Sequence, residues 1–324
     1  MPRIAVLDDW QSEAERIADW STLSGGEMVF FHMAFADRDA TVQALADFDV
    51  VLAMRERTLF DRAVIDRLPK LRLLCFTGPR NAAVDLAACA ARGITVCSTQ
   101  PTGRGGFDTA ELALGLLLAA ARRLPQADAE MRAGRFQENV HSGIGLENRT
   151  LGVIGLGRLG GRMAQYGLAL GMKVMAWSTN LTDARAREIG VLRVDKSSIF
   201  SQSDAISIHL VLSERSRGVV GASDIARMKP GAILVNTSRG PLIDEAALLA
   251  ALDRGHIAGA GLDVFEIEPP LDADPLRRHG HVIVTPHVAG VTDGSLVTMG
   301  VMAAECIAAV LRGEAVPAER LVRA

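Results

Sequence analysis

The sequence predicts an α/β protein with two parallel β-sheets, each covered by helices on both faces. Short apolar strands alternate with helical segments along nearly all of the 324 residues, and this alternation is typical of βαβ units. The chain is long enough for two ordinary domains. Since 49% of its residues are hydrophobic and only 23% are charged, it can fill two cores. We therefore expect two Rossmann-like, doubly wound domains.

Four apolar strands are predicted in the first third of the chain, at residues 4–7, 50–54, 71–76 and 95–98. Helices lie between them, for example at residues 61–68 and 85–92. Polar loops follow two of the strand ends, Arg55-Glu56-Arg57 and Thr77-Gly78-Pro79-Arg80-Asn81. Ligands of open α/β sheets bind at the carboxyl ends of strands, so these loops are candidates for ligand contacts.

A second series of strands follows a Gly-, Pro- and Thr-rich stretch at residues 100–106, which we interpret as a crossing between domains. A long apolar helix is predicted at residues 109–124, and a helix with an arm at 125–149. The second-series strands are predicted at residues 151–154, 173–177, 205–210, 233–237, 260–264 and 282–285. The last helix, residues 293–312, has no place in this second sheet. We therefore assign residues 1–99 and 290–324 to one discontinuous domain and residues 100–289 to the other.

A glycine-rich loop, Gly155-Leu156-Gly157-Arg158-Leu159-Gly160, connects the strand at residues 151–154 to a helix at 159–170. In a dinucleotide-binding turn, Gly155 permits the tight turn, Gly157 lets the backbone approach a pyrophosphate, and Gly160 lets helix and strand pack closely. The helix start then offers unpaired N–H groups to the phosphates. GxGxxG alone is weak evidence, but the strand–loop–helix context predicts a dinucleotide site.

The type of dinucleotide is left open by the residue that ends the next strand. An acid usually binds the ribose hydroxyls of NAD at this position, and here Ser178 follows residues 173–177. Serine neither accepts two ribose hydrogen bonds as a carboxylate does nor repels a 2′-phosphate. Arg185 and Arg187 could reach such a phosphate, although arginines like these more often line a solvated helix face. The sequence is therefore compatible with NAD(H) and with NADP(H).

Three candidate catalytic residues end successive strands in the last third of the chain. Arg239 lies in Asn-Thr-Ser-Arg-Gly, Glu268 in Asp-Val-Phe-Glu-Ile-Glu-Pro, and His287 in Thr-Pro-His. A guanidinium can grip a carboxylate at two points, and a carboxylate beside an imidazole favours its charged form and fixes its tautomer. These groups are what the interconversion of a 2-hydroxy acid and a 2-keto acid requires when hydride comes from a nicotinamide.

Each of the three residues also has an ordinary interpretation. Arg239 could form a surface salt bridge, Glu268 could be a solvated loop acid with Glu266 and Asp263 as competitors, and His287 could be a hydrogen-bonded core residue. Strand ends on one sheet edge converge in space. The occurrence of all three downstream of a cofactor loop therefore favours a catalytic role.

With these residues in view, the chain resembles the D-isomer-specific 2-hydroxyacid dehydrogenases. The resemblance extends over nearly the whole length and is carried by residues 155–160, Ser207-Ile208-His209, Met228-Lys229-Pro230-Gly231 and residues 236–244, 261–269 and 285–290. It implies a flavodoxin-like substrate domain, a nucleotide domain and a homodimer whose arm is residues 125–149. It also assigns Arg239, Glu268 and His287 the roles described above.

The resemblance implies further site residues. The expected cofactor contacts are Gly155, Gly157, Arg158, Leu159, Gly160, Ser178, His209, Thr237, Ser238 and Asp263, the last beside the nicotinamide carboxamide. The expected substrate contacts are Arg55, Thr77, Gly78 and Arg80. The chain departs from the family pattern at Ser178, at Arg80 in a loop that is usually Gly-rich, and at Leu112, where a histidine is frequent. Arg55 and Arg80 could contact a second anionic group on the substrate or form salt bridges at the rim of the site.

Composition argues against several other classes of protein. A formal net charge of −3 gives no electrostatic basis for binding nucleic acid or an anionic membrane. The four cysteines lack metal or CxxC spacing, and the N-terminus predicts a strand and not a signal peptide. The apolar stretch at residues 112–121 is too short to cross a bilayer. We expect a cytoplasmic protein that uses a small-molecule substrate and no metal.

Two alternatives to a D-2-hydroxyacid dehydrogenase remain open. One is a phosphite or formate dehydrogenase of similar build, although formate enzymes of this kind pair the histidine with glutamine, so Glu268 argues against formate. The other is an NAD(H)-sensing corepressor or scaffold that keeps the fold and the three residues. Turnover of 2-keto acids distinguishes the enzyme from the sensor.

Overall fold

The structure, a computed structural model, describes residues 1–23, 25–99 and 106–323. It divides into two compact units, one of Met1–Gly106 with Val291–Ala324 and one of Phe107–Gly290. Except for Gly106, the predicted crossing at residues 100–106 lies outside the described residues. Each unit contains one parallel sheet.

The sheet of the first unit has five strands in the order β2-β1-β3-β4-β5. They are β1 (Arg3–Val6), β2 (Glu27–Phe30), β3 (Val50–Ala53), β4 (Leu73–Thr77) and β5 (Thr95–Thr99). Every neighbouring pair is parallel. This order is that of the flavodoxin-like doubly wound sheet, and the central strands β3 and β4 are buried along their whole length.

Helices pack on this sheet from both parts of the chain. They are α1 (Arg38–Leu45), α2 (Arg62–Ile65), α3 (Leu86–Ala91) and, from the C-terminal part, the helix Asp293–Leu311, here called the terminal helix. Ala303, Cys306 and Ile307 of the terminal helix are buried in one cluster with Leu73 and Cys97 of the sheet. The first unit is thus discontinuous in sequence, as predicted.

The terminal helix is, among the described residues, the one helix long and apolar enough to cross a membrane by length and composition. Its apolar character has a second explanation, since Met299, Ala303 and Ile307 are buried within the first unit. A core helix of a globular domain shows the same composition.

The sheet of the second unit has seven parallel strands in the order β12-β11-β10-β9-β6-β7-β8. They are β6 (Thr150–Ile154), β7 (Lys173–Trp177), β8 (Leu192–Arg193), β9 (Ala205–Ile208), β10 (Ile233–Asn236), β11 (Gly259–Leu262) and β12 (Val282–Val284). The chain first adds strands on one side of β6 and then on the other. A topological switch point therefore lies between β6 and β9, where ligands of such sheets bind.

The described residues of the second unit form eight α-helices: α4 (Asp108–Arg122), α5 (Leu124–Arg132), α6 (Arg158–Ala169), α7 (Asp183–Ile189), α8 (Lys196–Gln202), α9 (Ala222–Arg227), α10 (Glu245–Asp253) and α11 (Pro275–Arg278). The terminal helix is α12 in this numbering. Leu116 and Leu117 of α4 are buried under the sheet, and a Cβ on Gly261 would lie only 2.8 Å from Cβ of Leu116. Close packing of α4 on β11 thus depends on a glycine.

The predicted fold class, two doubly wound parallel-sheet domains with the first one discontinuous, is confirmed. Two strands were not predicted. β2 is only partly buried along its length and β8 is two exposed residues. Both lie at sheet edges, where one side of the strand faces solvent and the buried apolar run that marks a central strand is missing.

The segment that follows α4 is unusually exposed. α5 buries none of its residues, and the arm after it exposes large apolar side chains. Leu124, Met131, Phe136 and Val140 are between 39% and 72% exposed. Such a set is larger than scattered surface apolar residues would give and is typical of a surface that binds another protein.

Candidate active site

The glycine-rich loop lies at the topological switch point of the second sheet. Gly155 follows β6 with φ of +94°, a conformation that favours glycine. A Cβ at this position would lie 2.4 Å from the carbonyl oxygen of His209, the residue that follows β9. The turn after β6 and the end of β9 can therefore approach each other only because residue 155 is glycine.

The other two glycines shape the start of α6. A Cβ on Gly160 would lie 1.8 Å from the carbonyl oxygen of Gly155. The helix can therefore pack on the turn only because residue 160 is glycine. Gly157 is the N-cap of α6, and a Cβ there would meet nothing within 4 Å. Open space in front of a helix N-terminus suits a pyrophosphate, which the first N–H groups of the helix can bind. The loop therefore fits a dinucleotide. Leu159, the second residue of α6, is partly buried.

Arg158 is the first residue of α6 and is turned toward the start of α4. Its guanidinium lies 5.7 Å from the ring centre of Phe107, and that of Arg162 lies 3.9 Å from the same ring. Cation–π contacts of this kind fix the orientation of long side chains. Contact between Arg158 and the cofactor stays a prediction.

Ser178 follows β7, at the position where an acid usually binds the ribose hydroxyls of NAD. It is partly buried, and its carbonyl oxygen accepts the N–H of Leu181. The two nearby arginines form bonds within their own helix: Arg185 pairs with Glu188 at 2.7 Å, and Arg187 donates to the carbonyl of Asp183. Surface pairs of this kind contribute little energy, so neither arginine is committed to its present partner.

Two buried polar atoms of the carboxyl edge lack a hydrogen-bond partner among the described residues. They are Nδ1 of His209 and Oγ1 of Thr237, which follow β9 and β10. The other ring nitrogen of His209 lies 2.9 Å from Oγ of Ser207. Burial lowers the pKa of His209 to about 4. Unpaired buried polar atoms are costly and commonly mark a ligand site, which supports a bound cofactor here.

Ser238 and Arg239 lie in a loop that Asn236 shapes. The side chain of Asn236 accepts the N–H of Ser238 at 3.0 Å and donates to the carbonyl of Arg239 at 2.9 Å. The hydroxyl of Ser238 donates to the carbonyl of Ile208 at 2.8 Å, so it links β9 to this loop. Nη1 of Arg239 donates to the carbonyl of Ser238 at 2.6 Å. Asn236 was not predicted as a site residue, although its place at the end of a buried strand was a usable signal.

Gly240 lets this loop approach the segment that carries Glu268. A Cβ on Gly240 would lie 1.9 Å from the carbonyl carbon of Phe265 and 2.3 Å from the nitrogen of Glu266. The two loops are thus in direct backbone contact. Arg239 and Glu268 are close enough for the guanidinium to favour the ionised carboxylate, as expected for strand ends on one edge.

His287 and Glu268 form the predicted pair. Nδ1 of His287 and Oε2 of Glu268 are 2.6 Å apart, and Oε1 of Glu268 accepts the N–H of Phe265 at 2.9 Å. Burial alone would raise the pKa of Glu268. The hydrogen bond and charge of His287, the Phe265 N–H and Arg239 together hold it below its usual value. Glu268 is therefore ionised at neutral pH and orients the imidazole.

The competing acids have other partners. The Glu266 carboxylate is exposed and lies 3.8 Å from Arg217. Both oxygens of the fully buried Asp263 carboxylate bind the loop around His287: Oδ1 accepts the Thr285 hydroxyl at 2.6 Å and the Val288 N–H at 2.9 Å, and Oδ2 accepts the Ala289 N–H at 2.9 Å. Asp263 therefore supports the loop of His287, and the expected contact with a nicotinamide carboxamide stays a prediction.

The backbone of His287 adopts a strained conformation. Its φ is +52°, which costs a non-glycine residue about 1–3 kcal/mol and is common at functional sites. The three hydrogen bonds to Asp263 come from residues on both sides of His287. They hold the histidine in place in spite of this strain. Burial raises the pKa of Asp263, and the same hydrogen bonds act in the opposite direction.

In the first unit, the predicted substrate residues form two linked loops. Oγ1 of Thr77 accepts the N–H of Arg55 at 3.0 Å, and the Asn81 side chain donates to the carbonyl of Arg55. Arg55 and Gly78 have φ of +54° and +97°. Arg80 is exposed. Thr77 thus supports the loop of Arg55, while Arg80 is available to a ligand.

Trp10 and Arg57 also belong to this edge, although neither was predicted as a site residue. The Arg57 guanidinium lies 4.1 Å from the ring centre of Trp10, and Nη1 donates to the carbonyl of Asp8 at 2.7 Å. The repeated arginines of Arg-Glu-Arg were a signal for Arg57. Nothing local pointed to Trp10, because its partner lies in another loop. Among the residues described, no group of three or more His, Cys, Asp or Glu side chains is placed to hold a metal ion.

A glycine cradle at the switch point and a His–Glu pair on the same edge define a dinucleotide-dependent dehydrogenase domain. Comparison with known proteins gives the family. The family model described as D-isomer specific 2-hydroxyacid dehydrogenase, NAD binding domain, matches residues 114–289. The chain belongs to this family of NAD-dependent oxidoreductases, and its second unit carries the NAD-binding domain.

Individual relatives agree with this assignment. The chain is 36% identical over 276 residues to a D-3-phosphoglycerate dehydrogenase of Archaeoglobus fulgidus, covering 85% of this chain and 52% of the relative. It is 35% identical to a glyoxylate reductase of Korarchaeum cryptofilum, covering 85% and 83%. A phosphoglycerate oxidoreductase from Vibrio cholerae superposes with a TM-score of 0.90 at 32% identity, covering 97% and 100%. The chain thus spans about half the length of the curated phosphoglycerate dehydrogenases that it matches.

Proposed function

We propose that this protein interconverts a D-2-hydroxy acid and its 2-keto acid, with His287 as the acid/base, Glu268 as its partner and Arg239 as the carboxylate anchor. The observation that carries the proposal is the 2.6 Å contact between Nδ1 of His287 and Oε2 of Glu268. It commits one ring nitrogen to the carboxylate and directs the proton chemistry to the other, Nε2.

In the reducing direction, the imidazolium of His287 donates its Nε2 proton to the keto oxygen. The Glu268 carboxylate stabilises the charged ring before the transfer and keeps the ring oriented afterward. The bound dinucleotide supplies the hydride. In the oxidising direction, neutral His287 accepts the hydroxyl proton, so one residue serves both directions.

Arg239 holds the substrate carboxylate through its planar guanidinium. Two parallel N–H···O bonds fix both the position and the plane of a carboxylate. The bond from Nη1 to the Ser238 carbonyl and the contact of Gly240 with the Phe265 backbone keep this side chain on a rigid loop. Positioning of this kind places the reacting carbon before the chemical step.

The substrate class that we propose is a small 2-keto or 2-hydroxy acid. Contacts from Arg55, Thr77, Gly78 and Arg80 are part of this proposal, because ligands of doubly wound sheets bind at the carboxyl edge on which they lie. Arg55 and Arg80 would favour substrates with a second anionic group. The relatives are named D-3-phosphoglycerate dehydrogenase and glyoxylate reductase. Their names suggest the range of substrate sizes to be tested.

The test is steady-state oxidation of NADH and, in parallel, NADPH against glyoxylate, hydroxypyruvate, phenylpyruvate and 2-ketoglutarate. Turnover of at least one keto acid supports the proposal. Tight NADH binding without turnover of any of them would favour the NAD(H) sensor. The NADPH arm is informative because Ser178 does not repel a 2′-phosphate, and a Ser178→Asp variant should then lose NADPH use selectively.

We also propose a cytoplasmic homodimer that associates through α5 and the exposed arm. The apolar side chains of Leu124, Met131 and Phe136 support this surface, and the four free cysteines suit a reducing compartment. Light scattering on the Phe136→Asp variant should show monomers if the arm forms the interface. A wild-type protein that is monomeric at micromolar concentration would end this part of the proposal.

A further inference from the structure

Glu245 contacts the turn that carries Glu268, although no role has been assigned to it so far. It is the first residue of α10, and its Oε1 accepts the N–H of Glu266 at 2.8 Å. The preceding N–H of the turn, from Phe265, binds Oε1 of Glu268 at 2.9 Å. Two consecutive N–H groups thus each bind a carboxylate, one from inside the turn and one from outside it.

The same turn is limited on its other side by Gly240. Because a Cβ there would lie 1.9 Å from the Phe265 carbonyl carbon and 2.3 Å from the Glu266 nitrogen, the turn cannot move toward the Arg239 loop. The bond from Glu245 opposes movement in the direction away from α10. The position of Glu268 relative to His287 therefore depends on both contacts.

Glu245 is itself held on a rigid element. Its neighbour Asp244 caps α10 by accepting the N–H of Ala247 at 2.9 Å. A short 3-10 helix, Gly240–Leu242, follows Arg239, and only Ile243 and Asp244 separate it from α10. The side chain of Glu245 thus connects the loop of the proposed substrate anchor to the loop of the proposed histidine partner.

An acid at this place has an electrostatic cost. Burial raises the pKa of Glu245, and the nearby Asp274, Glu266 and Glu268 carboxylates act in the same direction, while the Glu266 N–H opposes them. A carboxylate in the first turn of a helix also stabilises that helix through the helix dipole. Any test must therefore separate support of the turn from support of α10.

We propose that Glu245 is a positioning residue, which acts on proton transfer by fixing the turn at residues 265–268 and so the 2.6 Å contact of Glu268 with His287. This inference rests on the proposed function. It assigns Glu245 no contact with substrate or cofactor. Loss of its hydrogen-bond acceptor, and not loss of its charge, should therefore be the damaging change.

The test compares Glu245→Ala with Glu245→Gln, whose amide oxygen can still accept the Glu266 N–H. The matched control is Asp183→Ala, since Asp183 is likewise the first residue of its helix and forms an exposed ion pair with Arg193 at 3.2 Å. Each variant is assayed for kcat and KM in keto-acid reduction, for NADH affinity by fluorescence, and for thermal stability.

We expect Glu245→Ala to lower kcat about tenfold or more, because small displacements of catalytic groups are costly. Glu245→Gln should keep kcat within about twofold of wild type, because its hydrogen-bond acceptor is retained. NADH affinity should be unchanged in all variants, and Asp183→Ala should alter stability alone.

Two outcomes would overturn the inference. One is a Glu245→Ala enzyme with wild-type kcat, which would reduce Glu245 to a helix-stabilising residue. The other concerns the turn directly: hydrogen exchange of the peptide covering residues 263–270 should accelerate in Glu245→Ala but not in Glu245→Gln, and equal exchange in all variants would contradict the role. Absence of keto-acid turnover by the wild type would instead refute the proposed function, and the exchange measurement still decides the inference.

Discussion

The two sheets share one plan but use their carboxyl edges differently. On the second sheet, glycines are required for space: a Cβ on Gly155 or Gly160 would overlap backbone oxygens at 2.4 and 1.8 Å. On the first sheet, Gly78 is required for its φ of +97°, and a Cβ there would meet nothing within 4 Å. The second edge is thus packed around one fixed turn, while the first edge leaves room beside its loops.

The polar groups of the two edges differ in the same way. On the second edge, the buried carboxylate of Asp263 holds the loop of His287 through hydrogen bonds. The first edge carries exposed or stacked arginines, such as Arg80 and Arg57. A rigid edge suits groups that must be held in one geometry for proton and hydride transfer, and the proposed substrate contacts lie on the other edge. Variants on the two edges should therefore fail in different ways.

The largest effect is expected at the second edge. His287→Gln should lower turnover of keto acids by about 10²–10⁴-fold, since it removes the proton donor. NADH affinity should stay within about twofold of wild type, because the glycine cradle is unaltered. Stopped-flow and fluorescence titration measure the two quantities. A variant with wild-type turnover would remove His287 as the acid/base.

Arg239→Ala should have the second-largest effect. Loss of two charge-assisted hydrogen bonds, worth about 1.5–3 kcal/mol each, should lower kcat/KM for the keto acid by about 10²-fold or more. Binding of NADH should change little. Arg227→Ala is the matched control, since Arg227 lies on the exposed end of α9 and donates to the carbonyl of Ser223 in its own helix at 3.4 Å. Equal losses in substrate use and NADH binding would argue against a carboxylate anchor.

The buried His209, which follows β9, should make the free energy of unfolding depend on pH. His209 has a pKa of about 4 in the folded protein, whereas an unfolded histidine titrates near 6.5, so the unfolded chain binds the extra proton between these values. The contribution of His209 to the free energy of unfolding should be fully present above about pH 6.5, and the free energy of unfolding should be lower by about 2 kcal/mol at pH 5. Urea unfolding at pH 7 and pH 5 should show less of this loss in His209→Asn. His32→Asn, at an exposed histidine of the first unit, serves as control, and identical losses in the two variants would contradict the assignment.

The smallest effect is expected at the first edge. Arg80→Ala should raise KM for a keto acid with a second anionic group about tenfold, as loss of one charge-assisted contact would. KM for glyoxylate, which has no such group, should change little, and NADH affinity should not change. Similar effects on both substrates would indicate that Arg80 has no part in selecting the side chain, and the contrast between the edges would then rest on Arg57 and Arg55.

Much of this organisation could be predicted from local signals. The strands that lie inside the sheets were predicted within about two residues of their bounds, because burial on both faces leaves continuous apolar runs. The glycine loop was recognisable since its spacing and its strand–loop–helix context are both local. The edge strands β2 and β8 were missed because their exposed faces remove that apolar signal.

Other features depended on which distant segments meet. The stacking of Arg57 on Trp10 joins loops that follow different strands. The contact of Glu245 with the Glu266 N–H likewise links a helix start to a loop on the neighbouring strand. Residue types in either segment carry no record of the other, so no local pattern could predict these pairs.

The sequence by itself determined the fold class, the cofactor turn and the choice of Arg239, Glu268 and His287 as candidates. Periodicity and glycine conformation are properties of short segments, and the parallel direction of the strands places their carboxyl ends on one edge. Only the tertiary structure decided which acid meets the histidine. Asp263, Glu266 and Glu268 are chemically similar. Asp263 accepts hydrogen bonds from the loop of His287, Glu266 is exposed beside Arg217, and Glu268 contacts the imidazole. These differences exist only when the loops are packed together.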